Sequence, residues 1–514
     1  MKRALSASAL VLVLVVGLGG MSLFGLPFRS ADAATVAPSW GTAIDIPGLT
    51  APGESQNWLT QIACTSPGNC VAGGSYTTGP SVHTLLVEQV DGVWGDFFEV
   101  PGSWGFDPDD IDRRIETLAC APNGECVAAG NYATGQGGRV FVTRRVNGVW
   151  TDAEPLPGAA GLGNVGQFFV SASSCSSGGN CSIVGYYLTE SYRWGGYTID
   201  LVGGVWHDAA DVPGLIALST GDLSVLYSVS CPADGECSAA GEYHTSTESH
   251  GFVVDQSHGV WGQATDVPGL TTLAPGGAAR SQTISCSSAG NCSVVGSYSL
   301  SIGPGSTEYP FVADRVAGTW TGAQTPVLAG AGDSGLGVVS CPSDGNCSAI
   351  GRFHIPGDPV DGHDSLFVLE RIGGSWTTPV PMPGLDAVNT GNNAWIESLT
   401  CAAPGSCAAT GNFTDTTGRV PFVVNSTGGV WTAPIAVAGV HGPSYGDCYL
   451  SLLGDTCPTG RSVSCPSPTW CAVAGQTFPG AMSRGFLVEY FGPPEPTPDP
   501  TTDPTTPVTP VFTG

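Results

Sequence analysis

Residues 284–298 read "ISCSSAGNCSVVGSY". Two cysteines stand six positions apart, a Gly-Asn turn lies between them, and a glycine and a tyrosine follow. The chain writes this pattern again and again. First cysteines fall at 64, 120, 175, 231, 286, 341, 401 and 465, at intervals of 56, 55, 56, 55, 55, 60 and 64 residues. The second cysteine is always six further on. A period of this length is the signature of a repeat architecture, in which one supersecondary unit is copied along the chain.

One unit, "IETLACAPNGECVAAGNYATGQGGRVFVTRRVNGVWTDAEPLPG" at 115–158, divides into four strand-like runs rich in Val, Ile, Thr and aromatics. The third and fourth runs are joined by Asn147-Gly148, a two-residue hairpin signal because both turn positions need positive φ. Asp91-Gly92, His258-Gly259 and Gly-Gly at 203–204, 373–374 and 428–429 hold the same place. A tryptophan follows each turn: Trp94, Trp150, Trp206, Trp261, Trp320, Trp376 and Trp431. No stretch sustains a 3.6-residue period.

The chain is therefore all-β, and four antiparallel strands in a repeated array predict a β-propeller. The last repeat stops without its tryptophan strand. That strand stands at the other end, where "WGTAIDIPG" at 40–48 matches "WGQATDVPG" at 261–269. The expected architecture is an eight-bladed β-propeller closed by the N-terminal strand, with Trp40 beside the strand near 485–491. Closure would also remove exposed sheet edges.

The spacing pairs Cys64–Cys70, Cys120–Cys126, Cys175–Cys181, Cys231–Cys237, Cys286–Cys292, Cys341–Cys347, Cys401–Cys407 and Cys465–Cys471, with Cys448–Cys457 as an extra pair in a long loop. Each short covalent loop should stabilise by about 2 kcal/mol on the chain-entropy model. Small residues beside the first cysteine, and Gly at 74, 130, 185, 241, 296, 351, 411 and 475, fit strands that approach closely. The aromatics two residues after those glycines read as core between blades. The last repeat departs from this with Thr477 and the turn "SPTWC".

Across 40–491 the repeats resemble those of secreted bacterial β-propellers of the BNR/sialidase-like superfamily, and "NGVWTD" is similar in placement to an Asp-box. The resemblance is one of architecture. "RVNGVW" and "LVGGVW" lack the Ser and Asp of the full Asp-box, so no catalytic residue carries over.

The N-terminus has Lys2 and Arg3 before a long apolar run and an Ala31-Asp32-Ala33 site, the form of a secretory signal peptide over 1–33. An uncleaved anchor helix is the other reading. Eighteen cysteines without a C-x-x-C pair suit an oxidising compartment better than a zinc ribbon or redox site. The chain is read as secreted and extracellular, possible cell-wall association included. A Pro/Thr-rich tail over 492–514 follows the 34–491 propeller and reads as a linker or stalk.

Beyond residue 33 the chain carries 13 arginines, no lysine and 42 acidic residues, a net charge of −29. Such a surface disfavours phosphate backbones and anionic lipid, so neither nucleic acid nor membrane is expected as partner. A monomer is expected. The partner is expected to be a glycan or an extracellular protein.

In each unit the turns inside the disulfide and before the tryptophan are short and should share one face. The other connections are long and variable, as in "LTESYRWGGY" (188–197) and "HIPGDPVDGHD" (354–364), and carry His83, His244, His250, His354, His363 and His441. Variable loops on a rigid scaffold are where binding resides. Aromatics available there for a glycan are Trp58, Trp104, Tyr192, Trp194, Tyr309, Trp395 and Tyr445.

No cofactor is indicated. Asp107, Asp109, Asp110 and Asp112 offer oxygen ligands for Ca²⁺ but lack the EF-hand glycine and glutamate. His354, Asp358, Asp361, His363 and Asp364 offer a second metal set, with simple exposure as the blander reading. Glu116 and Glu397 share the register four before the cysteine, where Tyr227 and Arg461 also fall. They would suit glycoside cleavage only if they came within the carboxylate separations such enzymes use. Three functions stand open: an extracellular binding module, a carbohydrate-active hydrolase or lyase on the same face, and a surface spacer.

Overall fold

The computed structural model describes residues 39–49, 56–106, 112–135, 137–302, 306–355, 363–440, 450–451, 454–455, 459–477 and 483–492. The expected signal peptide over 1–33, Asp107, Asp109, Asp110, Asp358, Asp361, His441, Tyr445, the expected Cys448–Cys457 pair and the tail beyond Gly492 lie outside them.

The Cys286 repeat shows how one unit is built. Ala278–Ser288, Asn291–Ser299, Glu308–Val316 and Thr319–Trp320 pair antiparallel in chain order. The first turn needs Gly290 at φ 77°, and its carbonyl accepts a 2.9 Å hydrogen bond from the N–H of Gly318 in the second turn. The two short turns thus lie against each other at one end of the sheet. Phe311, Val312 and Ala313 are all buried. This strand is covered on both faces, so it reads as a continuous apolar run rather than an alternating one.

Seven sheets of four or more strands follow this plan. One has nine strands because a single parallel pair, Ser249 with Ala278, joins the Cys231 and Cys286 units. The architecture is all-β, with four-stranded antiparallel sheets consistent with propeller blades. Two four-residue helices, Leu215–Leu218 and Leu270–Leu273, sit in connections, too short to leave a period in the sequence. Ser39–Trp40 pairs antiparallel with Arg484–Phe491, placing Trp40 opposite Tyr490 with ring centroids 5.2 Å apart.

Apolar cores lie between sheets. Val71 and Leu86 of the Cys64 sheet cluster with Ile115 and Phe141 of the Cys120 sheet, and Leu59 and Leu85 cluster with Trp470 and Leu487 of the last. Tyr132, Tyr187, Tyr243, Tyr298, Phe353 and Phe413, the aromatics after the repeat glycine, are buried in these cores. Eight disulfides join each Cys pair six residues apart, which places the protein in an oxidising environment. Among the described residues no helix is long and apolar enough to cross a membrane.

Two polar devices tie neighbouring sheets. The serine before the cysteine of one first strand accepts from the cysteine N–H of the next, as in Ser174 with Cys231, Ser230 with Cys286 and Ser340 with Cys401, each 3.0 Å. The same bond joins Ser464 of the last sheet to Cys64 of the first. Further out, a third-strand carboxylate accepts from the indole N–H of the next sheet. Glu88 receives Trp150 at 2.7 Å, Asp200 receives Trp261 at 3.1 Å, Glu370 receives Trp431 at 2.7 Å, and Glu489 receives Trp94 at 2.9 Å. Arg144 and Asn425 occupy the carboxylate position in two sheets. Among the described residues, the facing indoles there, of Trp206 and Trp40, have no hydrogen-bond partner.

Candidate functional site

Every first strand carries a β-bulge at one register. Pairing in the Cys64 sheet jumps from Leu59 to Gln61 and leaves out Thr60. Glu116, Ser171 and Tyr227 are left out in the next three sheets. Gln282 and Gly337 follow, then Glu397 and Arg461. These are the residues four before the first cysteine. The repeat glycine of the second strand makes room for the bulge. A Cβ on Gly74 would lie 2.0 Å from the carbonyl oxygen of Trp58, and one on Gly241 would lie 1.9 Å from that of Val225. Glycine and bulge are one device, and bulges re-aim the side chains they carry.

All of these bulge residues are half-buried. Burial pushes the Glu116 carboxyl above the usual carboxylate range, against the pull of Arg114 and Arg461. Arg461 is the bulge residue of the last sheet, so the charge of one bulge residue acts on another two sheets away. Tyr186 on the neighbouring second strand is raised by burial and then by Glu116. Tyr227 is raised by burial and by Glu242, to which its hydroxyl donates. Arg280 Nε stands 3.8 Å from the Glu242 carboxylate. Asn412 Nδ2 donates to Glu397 Oε1 at 3.4 Å. Among the described residues, buried Asn412 Oδ1 and Arg461 Nε have no hydrogen-bond partner. Arginines, scarce in this chain, thus gather where first strands bulge, a concentration invisible in the linear sequence.

The tryptophans singled out from sequence separate into groups. Trp58 and Trp395 occupy the same position, two residues before the bulge in their sheets. Both are half-buried, and each has a guanidinium over its ring: Arg114 at 5.6 Å and Arg419 at 4.4 Å, within cation–π range. Trp194 packs edge-on to Phe169 and Tyr186, with centroids 5.7 and 5.5 Å away. This cluster adjoins Glu116 through Tyr186. Tyr309 stacks on Tyr298 at 5.5 Å and packs against a core between sheets. Trp104 is exposed in the short 3-10 turn Ser103–Gly105 outside this group. Tyr192 is exposed as well.

The loop histidines face carboxylates. His83 is 3.5 Å from Glu99, His250 is 3.2 Å from Glu248, and His354 is 3.4 Å from Asp364, which also binds Arg352 at 2.9 Å. Asp112 pairs with Arg114 at 2.6 Å. Among the described residues no group of three or more His, Cys, Asp or Glu could hold a metal ion.

No family model matches the chain, and no curated protein matches its sequence. Solved structures similar to it include the β-propeller domain of the Trilobed protease from Pyrococcus furiosus, at 9% identity and TM-score 0.39, covering 73% of this chain and 97% of that one. An ulvan lyase of a new polysaccharide-lyase family matches at 10% identity and TM-score 0.39 over 85% and 94%. Trypanosoma rangeli sialidase matches at 11% identity and TM-score 0.32 over 73% and 54%. At these scores the likenesses bear on neither activity nor substrate.

Proposed function

We propose that the chain is an extracellular glycan-binding module whose site is the bulge end of the first strands, on the long-loop face. The scaffold is a closed ring of eight blades, with the nine-stranded sheet counting as two. Closure is supported by the Ser39–Trp40 pairing with the last strand, by the Leu59–Trp470 core, and by the hydrogen bond of Cys64 N–H to Ser464. The module is exported with residues 1–33 removed and acts as a monomer.

One observation carries the binding reading. Trp58 and Trp395 stand at the same register in two sheets, two residues before bulges that carry polar side chains, and the charge of one bulge residue, Arg461, acts on another, Glu116. Saccharides need this pairing of chemistries, an aromatic face for the C–H side of the ring and fixed polar groups for its hydroxyls. The test is binding of the purified protein to an array of glycans and cell-wall polysaccharides, with and without Ca²⁺. Specific binding that falls at least tenfold on Trp58→Ala or Trp395→Ala is the expected result. A blank array in both conditions removes the glycan, and cross-linking to extracellular proteins then becomes the next experiment.

A second reading, a hydrolase or lyase on the same face, draws on one feature: burial favours the protonated form of Glu116, as a general acid requires. Glu116 and Glu397 would be its carboxylates. Release of new reducing ends or unsaturated products from any bound polysaccharide, lost in Glu116→Gln, would move the protein into that class.

A further inference from the structure

We propose that the bulge register is the specificity-determining register of this site, reading the hydroxyl and charged groups of one saccharide unit. The proposal rests on the glycan-binding reading and names the residues that would choose among glycans.

The argument begins with what repeats and what does not. The bulge recurs at the same register in every first strand, and the glycine that admits it recurs opposite. A bulge leaves ladder bonds unmade and each glycine lowers strand propensity, so neither is kept for the sheet's own stability. Yet the residue the bulge carries varies: Thr60, Glu116, Tyr227, Gln282, Glu397 and Arg461 are among them. A structural position would converge on one packing solution, as the cysteine, the small residue before it and, in every repeat but the last, the core aromatic do. This position has a fixed backbone and a variable side chain.

The side chains chosen are suited to recognition. Excluding Gly337, every one of them can donate or accept a hydrogen bond. Charge is felt between sheets that are not neighbours, as by Glu116 from Arg461. Across the register the chain offers carboxyls, a phenol, an amide and a guanidinium, while the Thr60 hydroxyl is taken by the Ile115 carbonyl of the next sheet at 2.8 Å. A saccharide ring presents hydroxyls outward in several directions and is matched by polar groups arriving from several directions. A flat apolar ligand would leave these groups without partners, at a cost for each buried one. Asn412 Oδ1 and Arg461 Nε already await such partners. The tryptophans at 58 and 395 lie one step further out, so they serve every saccharide alike while the bulge residues discriminate.

The test compares two kinds of variant on one array of neutral hexosides, amino sugars and uronic acids. Gln282→Glu and Arg461→Gln should change the ranking of bound saccharides by about tenfold in relative affinity, since hydrogen bonds to charged groups are gained or lost. Trp58→Ala should weaken all of them without changing the order. An exposed control, Trp104→Ala, should do neither. Thermal unfolding of each variant separates lost recognition from lost fold. If Arg461→Gln proves unstable, Gln282→Glu carries the test alone. Bulge variants that keep the ranking and bind within threefold of the parent, while Trp58→Ala abolishes binding, would overturn the proposal and leave the glycan-binding reading standing. An unaltered protein that binds no saccharide overturns both.

Discussion

The two ends of each first strand obey different rules. At the cysteine end the side chains repeat: a disulfide, a small residue before it, and in most sheets a serine that accepts the N–H of the next sheet's strand. At the bulge end only the backbone repeats, and the side chains differ from sheet to sheet. Side chains repeat where they hold sheet to sheet, because every interface poses the same packing problem. They vary at the bulge register, where only the backbone solution is repeated.

The largest test of this contrast is Gly241→Ala against Tyr227→Ala. A Cβ at residue 241 would sit 1.9 Å from the Val225 carbonyl oxygen and within 2.9 Å of Leu226 Cα, so backbone must move. Gly241→Ala should cost about 4 kcal/mol or more, the range reserved for such clashes, and should be seen as a large drop in thermal midpoint or in yield. Tyr227→Ala, beside it on the bulge, is half-buried and should cost far less. Equal losses would mean that the bulge side chain, and not its backbone, is the structural part.

A smaller effect probes the carboxylate–tryptophan contact between sheets. Glu88 accepts Trp150 at 2.7 Å and the Arg145 Nε at 2.8 Å, and its side chain is 19% exposed. Glu88→Ala strands both donors and should cost about 3 kcal/mol, toward the low end for removing one partner of a buried pair. The opposite change is available where the contact is missing. Arg144→Glu supplies an acceptor for Trp206, whose indole has none, and should stabilise by about 1 kcal/mol. Denaturant titration of both variants checks the pair. Destabilisation by Arg144→Glu would show that the two interfaces are built differently.

Much of this was legible in the sequence. Cysteine spacing, turn glycines and the tryptophan after each turn locate the strands, and the stray "WGTAIDIPG" finds its partner strand because its match lies inside the repeat. The bulge was not legible. It is a backbone irregularity without its own residue preference, and its one signal, the glycine at 74, 130, 185, 241, 296, 351, 411 and 475, reads equally well as close packing. The carboxylate contact was missed for another reason. Glu88, Asp200, Asp255, Asp314 and Glu370 each stand six residues before a tryptophan, but their partner is the tryptophan one repeat later. Periodicity within a unit cannot reveal a bond between units. Trp58 and Trp395 were found as aromatics, and their shared register appears only once the bulges are aligned.

The smallest expected effect is a pH dependence at the same contacts. Asp200 and Glu370 are both raised above their usual values, mainly by burial, although Ser182, Trp261 and Gln256 donate to the first and Ser348 and Trp431 to the second. A carboxylate whose folded value lies above its unfolded one favours the folded state most fully at pH below the unfolded value, about 4 for these residues. That contribution is lost as pH rises through the folded value. In the unaltered protein these two groups therefore oppose stability increasingly from about pH 4 upward. Asp200→Asn with Glu370→Gln keeps an oxygen to accept the indole N–H and removes the titration. The double variant should show a flatter thermal midpoint between about pH 4 and pH 7, with its gain over the parent largest at the upper end. A difference that instead grows toward acid would mean that the hydrogen bonds from Trp261 and Trp431 outweigh burial, and that these contacts strengthen on ionisation.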